Sequence, residues 1–163
     1  MEDARPEKDP RAVAQVRAAL ARAGLEADIR LMPASTRTAE EAAAACGCGV
    51  GQIVKSLVFR GEATSAPLLL LVSGSNRVDI SKAASGIGEK LTRPDAAFVR
   101  DVTGFAIGGI PPLGHDTPVR TFIDPDLLAY PKVFAAAGTP NAIMEIDPRA
   151  LAAATGAVTL PVR

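Results

Sequence analysis

Four stretches of this 163-residue chain carry groups that could do chemistry. Lys55 stands in the middle of GQIVKSLVFR, residues 51–60, among the strand formers Ile53, Val54, Leu57, Val58 and Phe59. A lysine in such a run either lays its stem on apolar surface with its ammonium in solvent, or presents a fixed cation to a pocket. Ser75-Asn76-Arg77-Val78-Asp79-Ile80-Ser81-Lys82 is a polar loop running into a helix start. Asp79 there reads as an N-cap, and Arg77 and Lys82 as surface charge or as contacts for an anion. Gly108-Gly109-Ile110-Pro111-Pro112-Leu113-Gly114 sets two adjacent glycines before two prolines. Such a loop can bring backbone N–H groups against a ligand while the prolines hold its shape. That is what an oxyanion-type or carboxyl-ester site requires. Gly138-Thr139-Pro140-Asn141 forms a turn between two strand-like runs.

Other chemistries lack their residues. There is no GxSxG, HExxH, P-loop or GxGxxG at a strand–helix junction. Cys46-Gly47-Cys48 supplies at most two metal ligands, and His115 is the one histidine, whereas a closed zinc site takes four ligands. No metal is expected. Nothing in the spacing brings either thiol to His115 as a nucleophile–base pair. The cysteines are read as the end of a helix beside Gly47 and Gly49, reduced in a cytosolic setting.

Composition sets the frame for these pieces. Hydrophobic residues make up 48% and charged residues 22%, which is globular rather than disordered. With no Trp and one Tyr, the core must be aliphatic. Eighteen basic residues balance eighteen acidic ones, which excludes a general nucleic-acid coat and leaves only local basic patches. The apolar run Leu68–Val72 is too short to span a bilayer, and MEDARPEKDPR lacks a secretory core, so a cytoplasmic protein is expected.

The elements that must position the four stretches follow from turn and cap chemistry. Asp9-Pro10 opens a first helix, with Asp9 as N-cap and Pro10 at the first helical position, and Gly24 stops it. Thr38 to Glu41 has capping-box spacing before AEEAAAAC, a helix ending at Gly47. QIVKSLVFR and PLLLLVSG, separated by GEATSA, predict a hairpin. Their continuous apolar runs predict a sheet covered on both faces. Further helices start at Asp79, at Pro94-Asp95 and at Asp147-Pro148, ending near Gly104 and Gly156 for the last two. NAIMEI and AVTLPV are extended. Helices and strands mix without a βαβ rhythm, which predicts one compact α+β domain around a mixed or largely antiparallel sheet.

The order of these pieces resembles the YbaK/ProX-like family of aminoacyl-tRNA deacylases, related to the editing domain inserted in many bacterial prolyl-tRNA synthetases. The similarity rests on Lys55-Ser56-Leu57-Val58-Phe59, on Asp79-Ile80-Ser81-Lys82, on Thr103-Gly104-Phe105 through Gly114 with the family's GxxxP loop at Gly108 to Pro112, and on Ala137-Gly138. It covers residues 27–162. It implies an N-terminal helix over residues 1–26 packed on an editing domain at residues 27–163, with a barrel-like sheet. The chain departs from several relatives at Pro111, where they carry Ser, and at Thr139, where some carry His.

What the resemblance implies is hydrolysis of the ester between a wrong amino acid and the terminal ribose of tRNA, without metal or organic cofactor. A synthetase pocket discriminates one methylene by only about 1–3 kcal/mol, so a second site that admits small errors restores accuracy. Lys55, Gly108 and Gly109 are then the expected catalytic set, the lysine as a fixed donor and the glycines as N–H donors to the carbonyl. Phe105, Ile110, Pro112, Gly138, Thr139, Asn76 and Asp79 are expected around the substrate. Arg77, Lys82, Lys90 and Arg93 are expected to meet tRNA phosphates. The expected substrate is tRNA(Pro) bearing a small non-cognate amino acid, with prolyl-tRNA synthetase as a possible partner. A non-catalytic module for tRNA ends or nucleotides, and a hydrolase of small esters or thioesters, remain alternatives.

Overall fold

The structure is a computed structural model that describes residues 10–163. Five α-helices occur among them: α1 (Arg11–Ala23), α2 (Ala39–Cys46), α3 (Ile80–Ile87), α4 (Ala96–Thr103) and α5 (Pro148–Thr155). The eight strands are β1 (Asp28–Leu31), β2 (Val54–Gly61), β3 (Pro67–Ser73), β4 (Leu91–Thr92), β5 (Arg120–Ile123), β6 (Val133–Ala136), β7 (Ala142–Ile146) and β8 (Val158–Thr159). The α+β class holds. Its sheet is divided in two: an antiparallel three-stranded sheet ordered β1-β7-β6, and a five-stranded mixed sheet ordered β4-β2-β3-β5-β8.

Local chemistry sets most of the element ends. The side chains of Thr38, Asp79, Asp95 and Asp147 accept from backbone N–H groups in the first turns of α2, α3, α4 and α5. These bonds satisfy donors that a helix N-terminus leaves without partners. Each of the five helices stops at a glycine: Gly24, Gly47, Gly88, Gly104 and Gly156. The first helix starts differently from expectation. Pro10 takes the N-cap position with φ −52° and ψ 147°, not the first helical turn, and Asp9 lies outside the described residues. Proline's fixed φ suits either place.

The capping box at α2 is half formed. Thr38 Oγ1 accepts from the Glu41 N–H at 3.1 Å, while its own hydroxyl donates to Glu41 Oε1 at 2.9 Å. Thr38→Ala should therefore lower stability by about 1 kcal/mol, read as a fall in the urea midpoint at unchanged slope.

The predicted hairpin is present, with Val54 opposite Ser73 and Arg60 opposite Pro67. β3 is the centre of the molecule, and Leu68, Leu69, Leu70, Leu71 and Val72 are fully buried. Because strand side chains alternate, the run divides between two cores. Leu69 and Leu71 face the main core with Val13, Val16 and Leu20 of α1, Met144 and Ile146 of β7, and Leu151 of α5. Leu68, Leu70 and Val72 face Phe59, Ala83 of α3, Phe122 and Leu160. A third cluster joins Ala42 and Ala43 of α2 to Ile53 and Ile143.

β5 runs parallel to β3, and β8 parallel to β5. Hairpins cannot make such pairs, so the chain crosses over through α3, β4 and α4 before returning. β2 is asymmetric. β3 flanks it from Val54 to Arg60, but β4 pairs only with Arg60 and Gly61. Its other edge is bare of strand pairing among the described residues from Val54 to Phe59. A single parallel bridge between Ile53 and Phe134 links the two sheets there. The opening beside that bridge is the site. No helix among the described residues is long and apolar enough to cross a membrane.

Candidate active site

A cavity of about 420 Å³ occupies the gap between the bare edge of β2 and β6. Its floor is aliphatic and small: Ala42, Ile53, Val54, Ile110, Ala135 and Ile143, with Phe134 beside them. Its rim carries Thr36, Arg37, Glu40, Lys55 and Ser56. That combination, apolar walls with a few polar groups, is usual for small-molecule pockets of roughly 300–1,000 Å³.

Lys55 lies on β2 at this rim, and its ammonium donates to the backbone carbonyl of Asn76. The lysine thus does not snorkel freely, and among the described residues it forms no ion pair. Burial pushes its pKa below the ordinary lysine value; Glu40 and Asp124 oppose this and Arg77 adds to it. Desolvation disfavours the charged form, and nearby carboxylates restore part of it. The result is a localised cation over an apolar recess.

Gly108 and Ile110 also line the cavity. The loop that carries them is held from behind. The Gly109 N–H donates to the Ala106 carbonyl at 3.1 Å, and the Gly109 carbonyl accepts from the Gly138 N–H at 3.0 Å. A Cβ on Gly109 would stand 2.7 Å from the Gly138 oxygen and 2.8 Å from the Thr139 Cα, so the two loops touch backbone to backbone. Gly109 is therefore a packing position, and its N–H is not available as the expected carbonyl donor. The Gly108 N–H has no hydrogen-bond partner among the described residues.

Residues 33–154 match the aminoacyl-tRNA editing domain family. The chain belongs to that family. Its activity class is aminoacyl-tRNA deacylation, with aminoacyl-tRNA as substrate. A solved structure described as a candidate trans-editing enzyme for prolyl-tRNA synthetase is 47% identical, with a TM-score of 0.88 over 96% of this chain and 99% of the other. The YwhH protein of Bacillus subtilis is 32% identical over 126 residues, 77% of this chain and 80% of its own. EbsC of Enterococcus faecalis, a candidate Cys-tRNA(Pro)/Cys-tRNA(Cys) deacylase, is 27% identical over 121 residues, 72% of each.

Within this editing domain the expected site residues part company. Lys55, Gly108 and Ile110 converge on the cavity. Phe105, expected on its wall, is instead 2% exposed in the main core, its ring edge-on to His115 with centroids 6.3 Å apart. Pro112 turns away into a shallow recess of about 210 Å³ with His115 and Thr155. Gly138 and Thr139 back the Gly108 loop and do not border the cavity; the Thr139 hydroxyl donates to Asn141 Oδ1 at 2.8 Å. Asp79 caps α3, accepting from the Lys82 N–H at 3.1 Å. Asn76 keeps its amide for two aspartates, so it is not free for substrate.

The four expected tRNA cations are scattered as well. Arg77 acts on Lys55. The Lys82 ammonium donates to the Arg163 carbonyl, while Arg93 lies over the Phe59 ring at 6.0 Å. Lys90 and Arg93 flank β4, which pairs with the far end of β2.

Sequence reasoning missed Ser56, Glu40 and Arg37. Ser56 follows Lys55 in the quoted motif, borders the cavity, and has a buried hydroxyl with no partner among the described residues. An unpaired buried hydroxyl is rare in a folded protein and calls for a ligand or water. Glu40 and Arg37 read in sequence as a helix first turn and a loop charge, and only the fold brings them to Lys55. His115 is not a candidate base. Its ring bonds the Pro111 carbonyl at 2.8 Å, and burial lowers its pKa despite that contact. Burial raises both Cys46 and Cys48, which keeps them thiols rather than nucleophilic thiolates. No cluster of three or more metal-ligating side chains occurs among the described residues.

Proposed function

We propose that this editing domain deacylates tRNA(Pro) carrying a small non-cognate amino acid, acting in trans on the ester at the tRNA terminus. The observation that supports it most is the meeting of Lys55 with the Gly108–Ile110 loop across one small aliphatic recess. Lys55 binds a ribose or phosphate oxygen of the terminal nucleotide and orients the ester. The amino-acid side chain lies on the floor made by Ala42, Ile53, Ala135 and Ile143. The Gly108 N–H donates to the carbonyl oxygen as attack makes it negative, which is where a fixed donor contributes most.

Water attacks the carbonyl carbon. The ester C–O bond breaks, the released ribose oxygen takes a proton, and the amino acid leaves as its carboxylate. Glu40 is the one carboxylate among the described residues that borders the cavity; in this reading its charge serves Lys55, and the neighbouring ribose hydroxyl of the substrate helps to activate the water. Arg77, Lys82, Lys90 and Arg93 supply a few dispersed phosphate contacts, which gives modest, salt-sensitive tRNA affinity. Weak binding of this kind suits delivery of the substrate by prolyl-tRNA synthetase.

The floor also suits cysteine, the amino acid in the name of the EbsC relative. Turnover of tRNA(Pro) charged in turn with alanine, serine, threonine, cysteine, 2-aminobutyrate and proline decides the matter. Release of one or more of the first five with proline retained is the expected result. Intact substrate throughout, or equal release of proline, overturns the reading.

A further inference from the structure

Asn76 is held more firmly than a loop asparagine needs to be. Its side-chain nitrogen donates to Asp124 Oδ2 at 2.7 Å and to Asp126 Oδ2 at 2.7 Å. Both partners only accept, so the amide's orientation is fixed. Its backbone N–H donates to the Ser73 carbonyl at 2.9 Å. Its backbone carbonyl receives the Lys55 ammonium.

Asp124 anchors this arrangement to the sheet. It is 1% exposed, and its carboxylate also accepts from the Ser73 N–H at 3.1 Å and the Asp126 N–H at 2.9 Å. Its own N–H donates to the Leu71 carbonyl at 2.8 Å. Asp126 is held in turn by Arg163 Nε at 3.0 Å. Burying a carboxylate this deep costs desolvation energy, which the N–H groups of Ser73, Asn76 and Asp126 offset. A neutral side chain could cap the short helical turn after it equally well. What the charge adds is a field that favours the charged form of Arg163 and of Lys55, at the latter alongside Glu40 and against Arg77.

We infer that Asn76 and Asp124 form a positioning unit for Lys55, fixing the loop carbonyl that holds its ammonium over the cavity. A free lysine side chain loses rotamer entropy when it is fixed, and anchoring it before substrate arrives removes that cost from binding. The ammonium has three donors; the Asn76 carbonyl takes one and leaves the others for substrate. Neither Asn76 nor Asp124 touches the substrate. Both act through the lysine, so the inference rests on the role given to Lys55 above.

The test is a cycle of single-turnover deacylation rates on the full chain. Asn76→Ala and Asp124→Asn are each made with Lys55 present and in a Lys55→Ala background. Binding of an amide-linked alanyl-adenosine analogue is measured for all of them, so a very slow variant still gives a number. With Lys55 present, each substitution should reduce rate or affinity by on the order of tenfold or more, as for misplacement of a reacting group. Without Lys55, the same substitutions should change either value by less than about twofold, because the pair couples through it. In Asp124→Asn, the alkaline limb of the rate profile should also move to lower pH, since removing the carboxylate disfavours the ammonium. Equal losses in both backgrounds, or none with Lys55 present, overturn the inference. If Lys55→Ala alone leaves rate and affinity unchanged, it is the role of Lys55 that fails. Should Asp124→Asn not fold, Asn76→Ala, on a half-buried loop, carries the test.

Discussion

Replacing Lys55 with alanine is expected to slow deacylation of the preferred aminoacyl-tRNA by roughly 10- to 100-fold, at nearly unchanged thermal stability. A hydrogen bond from a charged donor contributes roughly 1.5–3 kcal/mol, and each 1.4 kcal/mol is tenfold in rate. Folding loses little, because the side chain stands at a cavity rim and bonds only a loop carbonyl. Lys55→Arg should not restore the rate, since a planar guanidinium is broader than an ammonium and donates in a fixed fork. The pH dependence gives a second readout. Burial lowers the lysine's pKa, so activity that depends on the cation should decline on the alkaline side earlier than an exposed lysine would allow. Lys55→Ala should lack that decline once spontaneous ester hydrolysis is subtracted. A variant as fast as the parent, with the same alkaline limb, would remove the lysine from the reaction.

The largest loss of stability is expected at Gly138. Its φ is +109°, and a Cβ there would lie 2.7 Å from the carbonyl oxygen of Ala12 and 2.8 Å from its carbon. Those atoms are helix backbone and cannot swing aside. Gly138→Ala should cost roughly 3 kcal/mol from the strained dihedral and the clash together. For a chain of this length that is a fall in Tm of roughly 6–12 °C. Gly24→Ala is the matched control, with φ +67° but open space around the added carbon; it should cost only about 1–2 kcal/mol. Equal melting temperatures for the two variants would show that the approach of α1 contributes nothing. Because the Gly138 N–H also holds the Gly109 carbonyl, the Gly138 variant should lose activity beyond its loss of folded protein.

Turn and cap chemistry is local, and it was legible. Thr38, Asp79, Asp95 and Asp147 mark helix starts by their own hydrogen bonds, and the β2–β3 hairpin declares itself by two apolar runs around GEATSA. The parallel pairings of β3 with β5 and of β5 with β8 were not legible, because they depend on contacts some fifty and thirty-five residues apart in the chain. The site divides the same way. Lys55, Gly108 and Ile110, which lie in motifs that name chemistry, line one cavity. Phe105 and Pro112 share a motif with Gly108, yet the chain turns between them, sending one ring into the core and the other to a separate recess. Asn76 was singled out for its polarity, but only the fold shows that its amide faces two carboxylates. The signal for Ser56 is its place beside Lys55 as a second polar residue in an otherwise apolar strand.

The strand edge left bare between Val54 and Phe59 has a consequence for how copies of this protein behave together. Unpaired strand backbone is a template on which a neighbouring molecule can add its own strand, and a lysine on such an edge is a common natural defence against it. Lys55 stands there as a charge that an incoming strand would have to desolvate. In the role proposed for it, Lys55 would bear on two properties at once, the handling of substrate and the resistance of concentrated protein to aggregation.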